Sequence, residues 1–278
     1  MTSGGLGNRR KLPEVANKLQ PYKPIWLRTE FAYCPCVPPA PTICQTLLTC
    51  SGGVASAALV VSALAACGGG GGGGAPATVS VSDYQLRQAW VNYMTLSGTE
   101  RFTISGTVNG VAVSGSGTAT DGSLVATTFE GRPALSKTTI VTGTLSGAGQ
   151  TIPYGSSGVG YLDSNYMPLG QSGNEYAVVT GTPVIPQTAK INDTGTLYTA
   201  TRYPTSQKSY SIGTLTVSYA LQPDTADTAL LKVIATRKTT SGSTYSTDIS
   251  TFKMTPAGAL TPVSEQYQDS NSALTITF

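Results

Sequence analysis

The body of this chain is predicted to be all-β, and three observations lead there. Charged residues make up only 11% of the sequence, against about 25% in ordinary soluble domains. Thr, Ser and Gly take their place, a composition that favours strands and turns over helix. A strong hairpin signal stands near the start of the body. Short strand-like runs then succeed one another to the C-terminus, most of them separated by turn residues.

One helix is expected first. Ser82 precedes DYQLRQAWVNYM as an N-cap, and Leu86, Trp90 and Tyr93 recur at i, i+4 and i+7 to give one apolar stripe. Trp90 reads as a core anchor of that helix. The hairpin follows: Glu100–Val108 and Val111–Thr118 flank Asn109-Gly110, a type I′ signal. That turn pairs Val108 with Val111, Gly106 with Val113 and Ile104 with Gly115. Phe102, Ile104, Val108, Val111 and Val113 then share one face, and Thr103, Ser105, Thr107, Ser114 and Ser116 the other. A sheet with one wet side is implied.

Further strands are expected at about 124–130, 135–145, 176–182, 195–203, 209–221, 229–238, 243–254, 259–267 and 273–278. The Gly/Ser-rich segment 147–174 reads as a long loop. The expected architecture is a large curved antiparallel sheet or partly open barrel, with the N-terminal helix packed on it. A β-sandwich is the alternative.

The N-terminal part differs in kind. Residues 1–66 carry six basic and two acidic residues, whereas residues 67–278 carry eleven basic and twelve acidic ones. The body therefore has no basic excess to draw it to nucleic acid. Val54–Ala66 (VASAALVVSALAA) has the length and uncharged character of a signal-peptide core. Leu64-Ala65-Ala66-Cys67 follows from it and resembles the lipobox of bacterial lipoproteins. The resemblance implies recognition of Leu64, Ala65 and Ala66 by lipoprotein signal peptidase and cleavage before Cys67. Cys67 would then carry a thioether diacylglycerol and an amide-linked acyl chain such as palmitate. Several chains make anchoring stable, because each buried methylene contributes about 0.8 kcal/mol. Gly69 at the second position after cleavage implies the outer membrane by resemblance to enteric sorting, with the body facing the periplasm or the surface.

Four segments are expected: 1–53, a disordered or wrongly annotated extension; 54–66, the cleaved apolar core; 67–81, the lipidated Cys67 with a tether; and 82–278, the β-rich domain. Gly68–Gly74 is unbroken glycine. With Ala75-Pro76 it spans about 15–18 Å as a flexible coil. It matches a dinucleotide-binding pattern as any polyglycine must, and no strand precedes it. An uncleaved membrane helix over 43–66 is the competing reading; Gln45, the Thr/Ser residues and Gly52-Gly53 make it a poor one. The body also resembles a group of uncharacterised lipoproteins of β-proteobacteria, through DSNYMPLG, INDTGTLYTATRYP, TVSYALQPDTADTALLKVI and MTPAGAL. That resemblance implies the anchor and the domain limits, and no activity.

The chemistry of the body is bounded mainly by exclusion. The chain has no histidine, and its five cysteines (Cys34, Cys36, Cys44, Cys50 and Cys67) all precede the β-rich domain. A Ser-His-Asp triad, a His metal site, thiol catalysis and a disulfide framework are therefore excluded there. Cys34-Pro-Cys36 lacks zinc-type spacing. Ser250 and Lys253 form a Ser-x-x-Lys on a run that reads as a strand, which would turn them to opposite faces. Asp163-Ser164-Asn165 and Asp269-Ser270-Asn271 read as Asx turns rather than calcium loops. The acidic residues lie scattered, mostly near turns, and are expected to be solvated. Tyr154, Tyr161, Tyr166, Tyr198, Tyr203, Tyr210 and Tyr219 read as ordinary strand residues, although Tyr also suits glycan and peptide surfaces.

No metal, cofactor or catalytic residue is assigned beyond the covalent lipid. The leading expectation is a non-enzymatic envelope lipoprotein, a structural or interaction module meeting an envelope protein. A carrier or chaperone for an apolar ligand and a carboxylate-based glycan enzyme are the alternatives. A cavity with alternating apolar walls would favour the carrier, and two facing carboxylates in a groove would favour the enzyme.

Overall fold

The computed structural model describes residues 83–278. Leu64, Ala65, Ala66 and Cys67, the apolar core, the glycine tether and the Ser82 cap lie outside the described residues. One helix, α1 (Leu86–Thr95), precedes β1 (Gly98–Val108), β2 (Val111–Asp121), β3 (Val125–Phe129), β4 (Arg132–Gly147), β5 (Gln150–Leu162) and β6 (Pro168–Ser172). Then come β7 (Tyr176–Thr180), β8 (Thr194–Tyr203), β9 (Gly213–Pro223), β10 (Ala229–Lys238), β11 (Thr244–Met254), β12 (Leu260–Asp269) and β13 (Ser272–Thr277).

Every strand pairing is antiparallel, and the sheet closes on itself. Twelve strands form an up-and-down barrel. The ring is closed by β13 pairing with β1, and β2 passes directly to β4. The remaining strand, β3, pairs with the first residues of β4, on the edge that β2 occupies further along. Curvature thus goes to full closure, which leaves no sheet edge in the ring. The described residues form one closed sheet, so the sandwich alternative does not hold for the β-rich domain.

The β1–β2 hairpin has the register read from the sequence: Val108↔Val111, Gly106↔Val113 and Ile104↔Gly115. Asn109 and Gly110 have φ of 50° and 75°, as a type I′ turn requires. Phe102, Ile104, Val108 and Val113 are buried, and Thr103, Ser105, Thr107, Ser114 and Ser116 are exposed. The same alternation runs round the wall. Leu215, Val217, Tyr219 and Leu221 of β9, Leu231, Val233 and Ala235 of β10, and Leu274 and Ile276 of β13 face inward. The interior holds two apolar clusters. One lies under α1 and β7–β11, and the other among β1, β2, β4, β12 and β13.

Two expectations need correction. Segment 147–174 is not a loop: it forms β5 and β6. Its glycines lower strand propensity, but β5 is paired with β4 along its full length. The glycines also make room for rings. A Cβ on Gly170 would meet the ring of Phe129, and across the hairpin one on Gly143 of β4 would stand 2.7 Å from the ring of Tyr154. Tertiary pairing and ring-over-glycine packing outweigh propensity here. The second correction concerns the helix start. Gln85 is the N-cap, without a side-chain cap, because Tyr84 is extended and exchanges both backbone hydrogen bonds with Ala189 at 2.9 Å. The expected stripe is buried: Leu86, Trp90 and Tyr93 pack inward together with Ala89 and Met94.

The β3–β4 hairpin folds over the outside of the wall. Phe129 stacks on Tyr161 at 4.3 Å between centroids and lies 5.4 Å from Tyr176. Glu130 clamps this flap, accepting from the Tyr176 hydroxyl at 2.7 Å and pairing with Lys208. These contacts hold the Glu130 carboxyl below its ordinary value of 4.5. A depressed carboxylate contributes stability above its unfolded value and loses it as pH falls through the folded value. The Glu130 region is partly exposed, so about 0.5 kcal/mol is at stake. Acidification from pH 6 to below 4 is expected to speed amide exchange in β3 before the rest of the barrel, with Glu130→Gln removing the pH dependence; exchange read by mass spectrometry checks this.

Candidate functional site

The helix lies across one mouth of the barrel. Its N-terminal turn meets the β5–β6, β7–β8 and β11–β12 connections. Gln85 N–H donates to Pro256 O at 2.9 Å, Arg87 N–H to Gln187 O at 3.3 Å, and the Trp90 indole to Tyr166 O at 2.5 Å. Asn92 Nδ2 donates to Gly258 O at 3.1 Å. Gly258 lets the helix come this close: φ is +88°, and a Cβ there would meet the backbone of Gln85 and Ala89 at 2.8–2.9 Å. The C-terminal turn is held from inside. Lys137, fully buried on β4, donates from Nζ to Tyr93 O at 3.0 Å, where the helix carbonyls favour a cation. Burial lowers the Lys137 pKa, and the charges of Asp121 and Glu100 oppose that shift.

A pocket of about 220 Å³ opens beside this helix end. Its floor is buried: Tyr93, Ala119, Phe252 and Glu265. Its mouth is exposed: Asn92, Leu96, Glu100 and Ala259. Asp121, Leu260, Pro262 and the terminal Phe278 complete the wall. A bulge builds one side of it. The β11–β12 register pairs Thr251 with Ser264 but Phe252 with Pro262, so Val263 is an extra residue. The carbonyl of Val263 accepts the Phe278 N–H at 3.3 Å, which seats the last ring in the wall. Tyr93 meets Phe252 edge-on at 5.4 Å, and Phe278 meets Phe102 edge-on at 6.2 Å.

Three carboxylates line this pocket: Glu100, Asp121 and Glu265. Asp121 accepts from Thr139 Oγ1 and lies 3.9 Å from Lys137 Nζ. Glu265, only 2% exposed, accepts from Ser250 Oγ at 3.2 Å. These acids are far apart in sequence, and the closure of β12 through β13 and β1 to β2 brings them together.

Near the far end of the barrel stands a second polar group. Glu175 accepts Arg202 in bidentate fashion at 2.7–3.1 Å and lies 4.0 Å from Arg237 Nε, and Arg237 pairs with Asp248. All four are buried. Two guanidinium groups balance two carboxylates, an arrangement that fastens β8, β10 and β11 to the β6–β7 turn. Burial raises the pKa of Tyr198, with Arg237 opposing the rise.

Scattered, solvated acids were expected, and Glu175, Asp248 and Glu265 depart from that. A signal for two of them was present. Asp248 is in phase with the inward Phe252 and Met254, and Glu265 with the inward Tyr267. The Ser-x-x-Lys and the two Asx motifs resolve as read. Ser250 is buried and Lys253 is exposed on opposite faces of β11. Asp163 Oδ1 accepts from the N–H groups of Asn165 and Met167, and Asp269 Oδ1 from those of Asn271 and Ser272, at 2.6–2.9 Å; both are Asx turns. Of the tyrosines, Tyr154, Tyr161, Tyr198, Tyr203 and Tyr219 are strand residues, whereas Tyr166 and Tyr210 lie in connections. Among the described residues no group of three or more His, Cys, Asp or Glu side chains is placed to hold a metal ion, and no helix is long and apolar enough to cross a membrane.

No protein-family model, curated protein sequence or solved structure matches this chain.

Proposed function

We propose that this protein is an envelope lipoprotein, held to a bacterial outer membrane by acyl chains on Cys67, whose barrel is a non-enzymatic interaction module standing in water. The polarity of the wall carries this reading. Lipid-embedded barrels are apolar outside and polar inside. Here the strands bury mainly Phe, Ile, Leu, Val and Tyr inward, and Thr and Ser predominate outward, where Leu230, Ile234 and Ile249 are half-buried. The large apolar residues that are exposed, such as Ile140, Val263 and Tyr210, lie at separate places. A barrel of this polarity has no lipid-facing belt of its own. A lipobox cysteine nineteen positions before the start of α1 supplies the missing attachment. Cys67→Ala is expected to abolish incorporation of an alkyne-tagged palmitate and to leave a larger, uncleaved precursor. Unchanged labelling and size would overturn the anchor.

A second reading, a carrier of a small ligand, is favoured by the pocket beside α1. Its 220 Å³ falls below the about 300–1,000 Å³ of drug-sized sites, so a compact molecule rather than a diacyl lipid fits it.

A further inference from the structure

We infer that the free edge of β3 is an interaction surface, and that its partner is the same strand of a second copy of this chain, paired antiparallel across a two-fold axis. The inference rests on the interaction-module reading and names that module's surface and partner. β3 has a strand neighbour on one side only, β4, and stands outside the ring of twelve. The two-residue turn Glu130-Gly131, with φ of 51° and 72°, makes Phe129↔Arg132 a hydrogen-bonded pair. Val125, Thr127 and Phe129 therefore turn their N–H and C=O groups toward β4, and the Val125 carbonyl also accepts from Ser136 Oγ at 3.3 Å. Ala126 and Thr128 turn theirs the other way, to the free edge.

Strand edges are commonly blunted by a charge, a proline or a bulge, and β3 has none of these. Val125-Ala126-Thr127-Thr128-Phe129 is uncharged and lacks proline, its pairing with β4 is regular, and its first four residues are exposed. Val125 is 59% exposed, among the most exposed large apolar residues described. Pro153 gives the contrast. It lies three residues past the Gly147↔Gln150 pair that closes the β4–β5 turn, so its nitrogen points away from β4. The sheet thus accepts proline at such a position, and β3 carries Ala126 and Thr128 there instead.

A second copy satisfies this edge group for group. With Thr127 on the two-fold axis, Ala126 pairs with the partner's Thr128 and Thr128 with the partner's Ala126. Each pair exchanges both of its N–H···O bonds, so the outward groups of both residues are matched. No charged side chain stands opposite another in this register, so the pairing meets no like-charge repulsion. A five-residue edge buries less than the about 1,200 Å² of a stable interface, which makes the pair weak in dilute solution. Anchoring on one membrane confines both copies and raises their effective concentration.

Disulfide trapping in membranes of cells producing the full chain tests this. Opposed residues of a non-hydrogen-bonded pair have Cα atoms about 4.5 Å apart, within disulfide range. Thr127→Cys is therefore expected to give a crosslinked dimer under mild oxidation, in a yield about tenfold above that of Thr199→Cys on the outer face of β8. Adding Ala126→Pro removes an outward N–H and leaves the β4 pairing intact. It should lower the yield about tenfold and leave the melting of the purified protein unchanged. Should the proline disturb the flap, Ala126→Lys, a charge on the edge, gives the same discrimination. Equal trapping of Thr127→Cys and Thr199→Cys would overturn the pair, as would a Thr127→Cys crosslink to a different protein alone, or a yield that neither edge variant lowers. Palmitate labelling of the same samples keeps the two readings apart. Label without trapping removes the pair and leaves the anchored module; trapping without label removes the anchor and leaves the pair.

Discussion

Replacing Gly106 by Val is expected to lower the melting temperature by about 6–12 °C, the effect of about 3 kcal/mol or more in a domain of this size. Gly106 lies on β1 at the seam where the barrel closes, paired with Leu274 of β13. Its φ of +151° is one that L-residues rarely adopt. The place where a Cβ would stand is taken by the backbone of Ala273 and Leu274, the latter's Cα at 2.9 Å. Backbone cannot step aside as a flexible side chain can, so the seam must part. A parted seam turns two paired strands into edges with unsatisfied N–H and C=O groups. Ser105→Val, one residue away on the outward face, should change stability by no more than about 0.5 kcal/mol. Calorimetric melting of both variants checks the pair. Similar melting of Gly106→Val and wild type would mean that the seam is not tight.

Glu175→Gln is the second large effect, at about 3–5 kcal/mol, the usual loss when one partner of a buried ion pair is removed. Glu175 alone faces both Arg202, through three hydrogen bonds, and Arg237. Neutralising it leaves two buried guanidinium groups with Asp248 as the remaining carboxylate of the quartet. The stability then lost comes from uncompensated charge rather than from a missing contact. A double variant distinguishes these. Glu175→Gln with Arg202→Met removes one charge of each sign, and urea unfolding should show it more stable than the Glu175→Gln single variant. Additive losses would contradict the coupling.

Where a strand carries alternating apolar residues and a glycine turn, the sequence is legible. The 109–110 hairpin, β10 and the inward set of β9 follow from period two alone. β5 was hidden because its inward positions include Ser156, Gly158 and Gly160, small residues that carry no hydrophobic signal, and its strand state comes from pairing with β4. The helix start was displaced for a similar reason, since Ala189 captures Tyr84 from more than a hundred residues away. The pocket could not be seen at all. Glu100, Asp121 and Glu265 each look like strand or turn acids, and only ring closure, the Val263 bulge and the seating of Phe278 place them on one wall. The resemblance of residues 64–67 to a lipobox is the opposite case, carried by four adjacent residues.

The central claim is a barrel that stands in water with a fatty anchor at its N-terminal side, and thiol scanning tests it most directly. All native cysteines lie at or before residue 67, so a matured chain with acylated Cys67 would hold no free thiol. Single cysteines at the exposed outward positions Thr103, Ser116, Thr142, Ser157, Thr199 and Gln266 would each be the sole reactive site. In purified membranes every one is expected to react with a charged maleimide at a similar rate. A contiguous band of protected positions around the wall would show a barrel embedded in lipid and would contradict the account.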